Sequence, residues 1–418
     1  MTTIQPIRGT HDLLPQEFRK HALVTDVARN VAAAYGYAEM ATPIMEFKEI
    51  FKRTLGDASD IVNKEMYEII DRGDAPIVLR PEGTAGVARA VISNGLTQSL
   101  PLKYFYAGPM FRYERPQKGR LRQLHQIGIE LFGVQDPIGD VEVLSIAYDT
   151  LKELGLMNHI TLEINTLGDE ESRKTYRRHL VTYLKDHHAH LSPESQQRLE
   201  RNPLRILDTK DEGDKKILKE APPLAESLTP YSLEMFEKVK EGLELLGIPY
   251  KLNPHLVRGL DYYCHTAFEF TTTELGSQGA VLAGGRYDGL METMGGPSIP
   301  GVGWAGGIDR IAMMLKENDL KPLKRPLAIV PMDESIDMKG LVLAKLLQKH
   351  GHRVEMTYGG NLSKRLKKAT KINACYALIL GEKEISSDSV TLKDLESGEQ
   401  TFIPQIQVVD VLKSKGVL

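Results

Sequence analysis

Residues 102–134 read LKYFYAGPMFRYERPQKGRLRQLHQIGIELFGV. Two apolar runs flank a charged, turn-rich middle from Glu114 to Gln123. Period-two alternation with β-branched and aromatic residues predicts two strands joined by a long loop. In the second strand that period puts His125, Ile127, Ile129 and Leu131 on one face, which reads as core. The opposite face carries Leu124, Gln126, Gly128 and Glu130. Arg112 and Glu114 share a face at the end of the first strand in the same way. A polar sheet face can simply meet solvent. Here, though, a glycine clears space beside a carboxylate, a carboxamide and an arginine, and the loop adds Arg115, Lys118, Arg120 and Arg122. That combination predicts the floor of a pocket for a cationic or polar ligand, with an anion clamp at its mouth.

Composition bounds what surrounds this pair of strands. With 418 residues, 41% hydrophobic and 26% charged, the chain exceeds one ordinary core, and two or three globular domains are expected. The net charge of −3 excludes a globally basic nucleic-acid coat protein, so any RNA contact must come from local basic patches. Two cysteines, Cys264 and Cys375, make neither a disulfide framework nor a zinc site and fit a reducing cytosol. The start, MTTIQPIRGTHDLLP, lacks the charged-then-apolar pattern of a secretory signal. No apolar run approaches the ~20 residues that span a bilayer.

Working outward, Pro15 to Tyr35 reads as an amphipathic helix with Phe18, Ala22, Val24, Val27, Ala28 and Val31 apolar, Asp12 as candidate cap and Gly36 as stop. IVLRPEGTAGVARAVIS, residues 77–93, reads as strand, turn and helix. Thr84 is placed to cap that helix, and Glu82 either favours its dipole or holds a ligand ammonium. Residues 165–253 are charge-laced, with helical spacing at Tyr176, Leu180 and Leu184 and a second helix from Ser232 to Leu246, which predicts an inserted helical domain. LVRGLDYYCHTAFEFTT, residues 256–272, alternates like a strand and carries Arg258, Asp261, Tyr263 and His265. A glycine turn with Arg286, Tyr287 and Asp288 follows, yet no GxxxxGK[ST] or GxGxxG appears. GVGWAGGIDRIAMMLKEN, residues 301–318, is a glycine-rich strand feeding a helix whose buried stripe is Ile308, Ile311, Ala312 and Leu315. Arg310 in its first turn makes sense if an anion sits there. LKPLKRP, residues 320–326, is a basic, proline-broken linker. Beyond it, strands and helices alternate in a small α/β domain with a mostly parallel sheet. Its second helix, NLSKRLKKATKINA, is expected to bury Leu362, Leu366 and Ala369 and to show Lys364, Arg365, Lys367, Lys368 and Lys371. That face is either solvated surface or a seat for a phosphate backbone.

With these segments in view, the chain resembles the class II aminoacyl-tRNA synthetases, and within them the histidyl-tRNA synthetase family, over nearly its whole length. The helix leading to Pro43 is similar to motif 1, FRYERPQKGRLRQLHQIGIELFG to motif 2 and GVGWAGGIDRIAMML to motif 3. LVRGLDYY and AGGRYDGL look like the histidine-specific signatures, and RGTHDLLP and LRPEGTAG also match.

The resemblance implies an α+β catalytic domain over 1–325, an antiparallel sheet flanked by helices, with a helical insertion at about 170–250. It also implies an α/β anticodon-binding domain over 326–418 and a homodimer formed through motif 1. The implied reaction joins L-histidine to ATP as histidyl-adenylate, releasing pyrophosphate, and then passes histidine to the 3′ end of tRNA(His) with release of AMP. Mg²⁺ accompanies the phosphates, and the place of work is the cytoplasm, away from any membrane. By motif position, Arg112 would hold the α-phosphate, Glu114 the nucleotide, and Arg120 and Arg310 the outer phosphates. Arg258 would bridge the histidine carboxylate and the α-phosphate. Glu82, Thr84 and Gln126 would surround the amino group, Glu130 and Tyr263 would read the imidazole, and Tyr287 would close the pocket. Arg115 and Gln117 lie in RPQKGR, which is similar to the loop that meets the tRNA acceptor end; Lys364, Arg365 and Lys367 would face the anticodon arm. Two positions depart from the family: Leu124 replaces an aromatic that could stack on adenine, and Asp309 replaces a glutamate.

The same resemblance brings two competitors. The regulatory paralogue serving ATP phosphoribosyltransferase tends to lose the C-terminal domain and the catalytic arginine, whereas this chain keeps Arg258 and residues 326–418. An RNA-binding or sensor protein with a dead synthetase domain would show damage among Arg112, Arg258 and Arg310, and none is visible.

Overall fold

A computed structural model describes every residue except 1–2, 57–58, 60, 71–72, 74, 118, 258–259, 261, 277–278 and 418. The chain divides into two compact units, residues 1–320 and 321–418. In the first, the strands are β1 (Ala38–Glu39), β2 (Met45–Phe47), β3 (Tyr67–Ile70), β4 (Pro76–Leu79), β5 (Leu102–Phe111), β6 (Gln123–Phe132), β7 (Thr161–Thr166), β8 (Lys251–Leu252), β9 (Cys264–Thr271), β10 (Ala280–Arg286) and β11 (Gly301–Gly307). Eight of them form one sheet in the order β1-β5-β6-β11-β10-β9-β7-β8, and β2-β4-β3 form a small second sheet. The six central strands of the large sheet run antiparallel. Only the short edge strands β1 and β8 pair in parallel.

The alternation of β6 decides what each face of that sheet does. Ile127, Ile129 and Leu131 enter the main core, against Val24 and Ala28 of helix Pro15–Ala34, Val143 and Ile146 of helix Ile138–Glu153, and Ile308 and Ile311 of helix Ile308–Met314. His125 shares that face but is not core. Its backbone N–H donates to Asp309 Oδ2 at 2.6 Å and its Nδ1 lies 3.3 Å from Oδ1. On the opposite face, Tyr106, Met110 and Phe132 pack with Val87, Ala88 and Val91 of helix Thr84–Ser93 and with Tyr263 and Tyr287. Glycine opens that face. A Cβ on Gly128 would lie 2.4 Å from the Tyr106 ring, and one on Gly303 would lie 2.1 Å from Glu130 Oε2. Arg286 is wholly buried rather than part of a surface turn, paired with the equally buried Asp140 and with Asp288 at 3.2 Å.

Several local expectations are corrected. The first helix begins at Pro15 behind Leu14 with no side-chain cap, so Asp12 does not cap it, and Phe18 is exposed. Its buried stripe is His21, Val24, Ala28 and Ala32. Thr84 is the first residue of its helix rather than the cap. Glu82 takes the capping role, accepting from the Thr84 and Ala85 N–H groups at 2.7 and 2.9 Å. Within the strand expected over 256–272, the described residues form a regular strand from Cys264 to Thr271.

Within the stretch read as inserted, Tyr176, Leu180, Leu184, Leu199 and Ile206 form a small core of their own. Helix Pro230–Leu245 instead sends Phe236, Val239 and Leu243 into the main core.

The second unit carries β12 (Leu327–Pro331), β13 (Val354–Met356), β14 (Tyr376–Leu380), β15 (Ser389–Asp394) and β16 (Gln400–Pro404), ordered β13-β12-β14-β15-β16. β13, β12 and β14 are parallel, while β15 and β16 add antiparallel pairings, so the sheet is mixed rather than mostly parallel. Alternation along β12 sends Leu327 and Ile329 towards helix Asp337–Lys349, and Ala328 and Val330 towards helix Leu362–Lys371.

Candidate active site

Strand β6, the start of helix Thr84–Ser93, the chain after β5 and the start of helix Ile308–Met314 meet around a cleft of about 240 Å³. Eight of the residues singled out from sequence line it: Glu82, Thr84, Arg112, Glu114, Arg120, Gln126, Tyr263 and Arg310. Leu124 and Asp309, the two departures, line it as well. Leu260 and Tyr262 join them. The sequence reading singled out neither, although both belong to the LVRGLDYY segment that supplied Tyr263. Arg258, Asp261 and Lys118 lie outside the described residues.

One set of lining groups presents acceptors. Gln126 Oε1 is buried and has no hydrogen-bond partner among the described residues. A buried acceptor without a donor costs free energy, which a ligand's donor can relieve. Glu82 is also buried, and burial raises its carboxyl pKa against the Ala85 and Thr84 N–H groups and Arg112, which lower it.

The other set is cationic. Arg112 Nε donates to Pro81 O at 2.8 Å and its Nη1 lies 3.9 Å from Glu114 Oε1. Arg120 Nη1 lies 3.2 Å from Glu114 Oε2. Arg310 Nη1 reaches Gly119 O at 3.5 Å, and burial followed by the neighbouring Arg120 charge lowers its pKa. Three guanidiniums around one carboxylate favour a polyanion.

Glu130 and Tyr287 sit beneath the lining. Glu130 has 0% exposure; it accepts from Thr84 Oγ1 at 2.7 Å and from the Tyr287 hydroxyl. Burial pushes its carboxyl up to about 8, with the Thr84 and Tyr287 hydroxyls opposing and Glu82 adding to the rise. Tyr287 packs edge-on against both Tyr262 and Tyr263, so the carboxyl is reached through an aromatic wall.

The remaining candidates are elsewhere. Arg115 and Gln117 are exposed on the loop between β5 and β6, where Gln117 and Arg120 exchange backbone hydrogen bonds of 3.2 and 2.9 Å. Lys364 and Lys367 are exposed in the second unit. Arg365 is not on their face. It has 0% exposure and donates to Asp337 Oδ1 at 2.6 Å, Thr357 O at 2.8 Å and Gly360 O at 2.9 Å. The expectation that it faces solvent fails because its position falls on the buried side of the helix. Positions 362, 365, 366 and 369 form an i, i+3, i+4, i+7 stripe that includes it.

Comparison with known proteins finds relatives over nearly the whole chain. A family profile described as histidyl-tRNA synthetase matches residues 9–311, and one described as anticodon binding domain matches 327–415. A histidine–tRNA ligase of Rhodospirillum rubrum is 53% identical over 96% of this chain and 97% of its own length. That of Gluconobacter oxydans is 50% identical over 99% of each. Among solved structures, apo histidyl-tRNA synthetase of S. aureus superposes with a TM-score of 0.82 at 33% identity, covering 98% of this chain and all of that one.

Proposed function

The chain belongs to the histidyl-tRNA synthetase family and attaches histidine to tRNA with ATP; on that premise we propose which residues carry the reaction. The observation that carries the reading is a cleft with a buried acceptor, Gln126 Oε1, unpaired among the described residues, in one part and the Arg112, Arg120 and Arg310 guanidiniums in another. A histidine ammonium answers the first and an ATP triphosphate the second.

Gln126, Glu82 and Thr84 hold the amino group. Arg112 orients the α-phosphate, Glu114 helps seat the nucleotide, and Arg120 and Arg310 grip the outer phosphates. Arg258 spans the histidine carboxylate and the α-phosphate and stabilises charge building at phosphorus, which is electrostatic preorganisation rather than proton transfer. The product is histidyl-adenylate with pyrophosphate leaving; attack by the tRNA 3′-terminal ribose then releases AMP. Glu130 and Tyr263 read the imidazole, with Tyr287 fixing Glu130. A carboxyl raised to about 8 is largely protonated at neutral pH, so Glu130 can both donate to and accept from an imidazole. Leu124 gives adenine apolar cover.

Mg²⁺ fits the donor set, since Glu114 offers carboxylate oxygen among groups placed for phosphate. Bound there, it would neutralise charge on the outer phosphates.

Residues 1–325 form the catalytic part, with the insertion, from about 170 to the start of helix Pro230–Leu245, meeting the acceptor arm, and 326–418 read the anticodon. Arg115 and Gln117 face the acceptor end, and Lys364 and Lys367 the anticodon arm. Strand β2 follows Pro43 and leaves Ile44, Met45 and Phe47 exposed, an apolar edge suited to a homodimer contact. Among the described residues no helix is long and apolar enough to cross a membrane. Its tRNA substrate sets the place of work as the cytoplasm.

Histidine-dependent exchange of labelled pyrophosphate into ATP tests the cleft. Exchange should require histidine, and Arg258→Ala should cut it by roughly 10²-fold or more with the fold intact. A folded preparation with no histidine-dependent exchange overturns the reading.

A further inference from the structure

We propose that His21, His125 and Asp309 form a binding site for a divalent cation of the Zn²⁺ class, set behind the cleft. The three come from helix Pro15–Ala34, strand β6 and helix Ile308–Met314. Asp309 Oδ1 lies 3.3 Å from His125 Nδ1 and 3.7 Å from His21 Nε2. All three ligand atoms lie within 4.8 Å of one another. A tetrahedral ion with bonds of about 2.0–2.1 Å holds its ligand atoms about 3.4 Å apart, so the side chains need only small adjustments.

The surroundings fit an ion as well as the distances do. The two imidazoles stand nearly perpendicular, at 81° with centroids 5.4 Å apart, as ligands around one centre can. The His125 backbone N–H holds Asp309 by its other oxygen, Oδ2, at 2.6 Å. That is the outer hydrogen bond that orients a ligating carboxylate. A cavity of about 250 Å³ touches His21 and Asp309 and has His11 and Glu17 on its wall. It gives entry and leaves room for water or His11 as a fourth ligand. Lys20, also on the wall, is occupied by Leu315 O.

Two imidazole nitrogens and one carboxylate select a transition metal over Mg²⁺ or Ca²⁺. The other His/Cys/Asp grouping, Cys264, His265 and Asp288, is worse suited. Burial pushes its thiol up to about 12, and Asp288 already accepts from Arg286 and the Gly301 N–H. The consequence is mechanical: Asp309 precedes Arg310 and His125 precedes Gln126, so the ion would pin two cleft positions to the first helix.

The test uses the full chain stripped of metal by a chelator. It is titrated with ZnCl₂ alone against a chromophoric competitor, with metal content and melting temperature read alongside. One Zn²⁺ per chain is expected, with affinity falling as pH drops from 7 towards 5.5 because the ligands take up protons. His21→Ala and His21→Phe should each weaken binding by more than about 100-fold, since losing even an outer partner costs about 10–100-fold. Zn²⁺ should raise the melting temperature of the parent and not of His21→Phe. Cys264→Ala should bind as the parent does. Undiminished binding by either folded His21 variant overturns the site and moves the ion to another group such as His187, His188 and His190; so does a parent that retains no Zn²⁺.

Discussion

Glu130 concentrates the chemistry of selection in one carboxyl without exposed surface, held by the Thr84 and Tyr287 hydroxyls. If it reads the imidazole, Glu130→Gln keeps its size and changes the pattern of donors and acceptors. Leaving a buried hydrogen-bonding partner unsatisfied costs about 1–3 kcal/mol, so the histidine KM should rise roughly 10- to 100-fold while the ATP KM moves little. Both constants, measured on one preparation, check this; an unchanged histidine KM leaves Glu130 as a strut for Thr84 and Tyr287. The same group sets a pH dependence. Its folded pKa, about 8, is raised above the ordinary 4.5. Between those values the unfolded chain has lost a proton that the folded chain keeps, so this group's contribution to stability falls as pH rises from about 4.5 to about 8. Glu130→Gln removes that slope. Melting temperatures at pH 5 and pH 8 should show the variant gaining on the parent at the higher pH, and parallel curves would contradict it.

The helix Leu362–Lys371 shows how one element divides its charges between structure and binding. Lys364 and Lys367 face solvent, while Arg365 turns inward to Asp337 and two carbonyls. Removing that guanidinium leaves three acceptors short of a donor, although Asp337 is one-third exposed and recovers some hydration. Arg365→Ala should therefore cost about 2–3 kcal/mol of stability, read as an earlier melting transition. Lys367→Ala should leave melting alone, raise the tRNA KM and flatten its salt dependence by about one charge. Equal melting of the two variants would place both side chains on the surface. Elements also account for what was legible along the chain. The alternation in β6 put Gln126 and Glu130 on one face because a strand has only two faces. Glu82 rather than Thr84 caps its helix, because Thr84 is already the first helical residue and its hydroxyl donates to Glu130.

At the scale of the molecule, each unit has its own apolar core, so the second should be separable from adenylation. A chain ending at Lys324 is expected to keep histidine-dependent pyrophosphate exchange and to lose most tRNA charging; full charging by that truncation would remove residues 326–418 from tRNA recognition. The sequence alone determined the β5–β6 pair and its two faces, the break at 320–326, and Gln126 and Glu130 side by side near the loop arginines. These follow from local periodicity, prolines and the reach of a few residues. Tertiary structure alone decided which charges are buried and which partners they keep. Arg286 meets Asp140 across 146 residues, and His125 meets Asp309 across 184. Burial and pairing belong to neighbours that only folding brings together, and no local pattern in the chain encodes them.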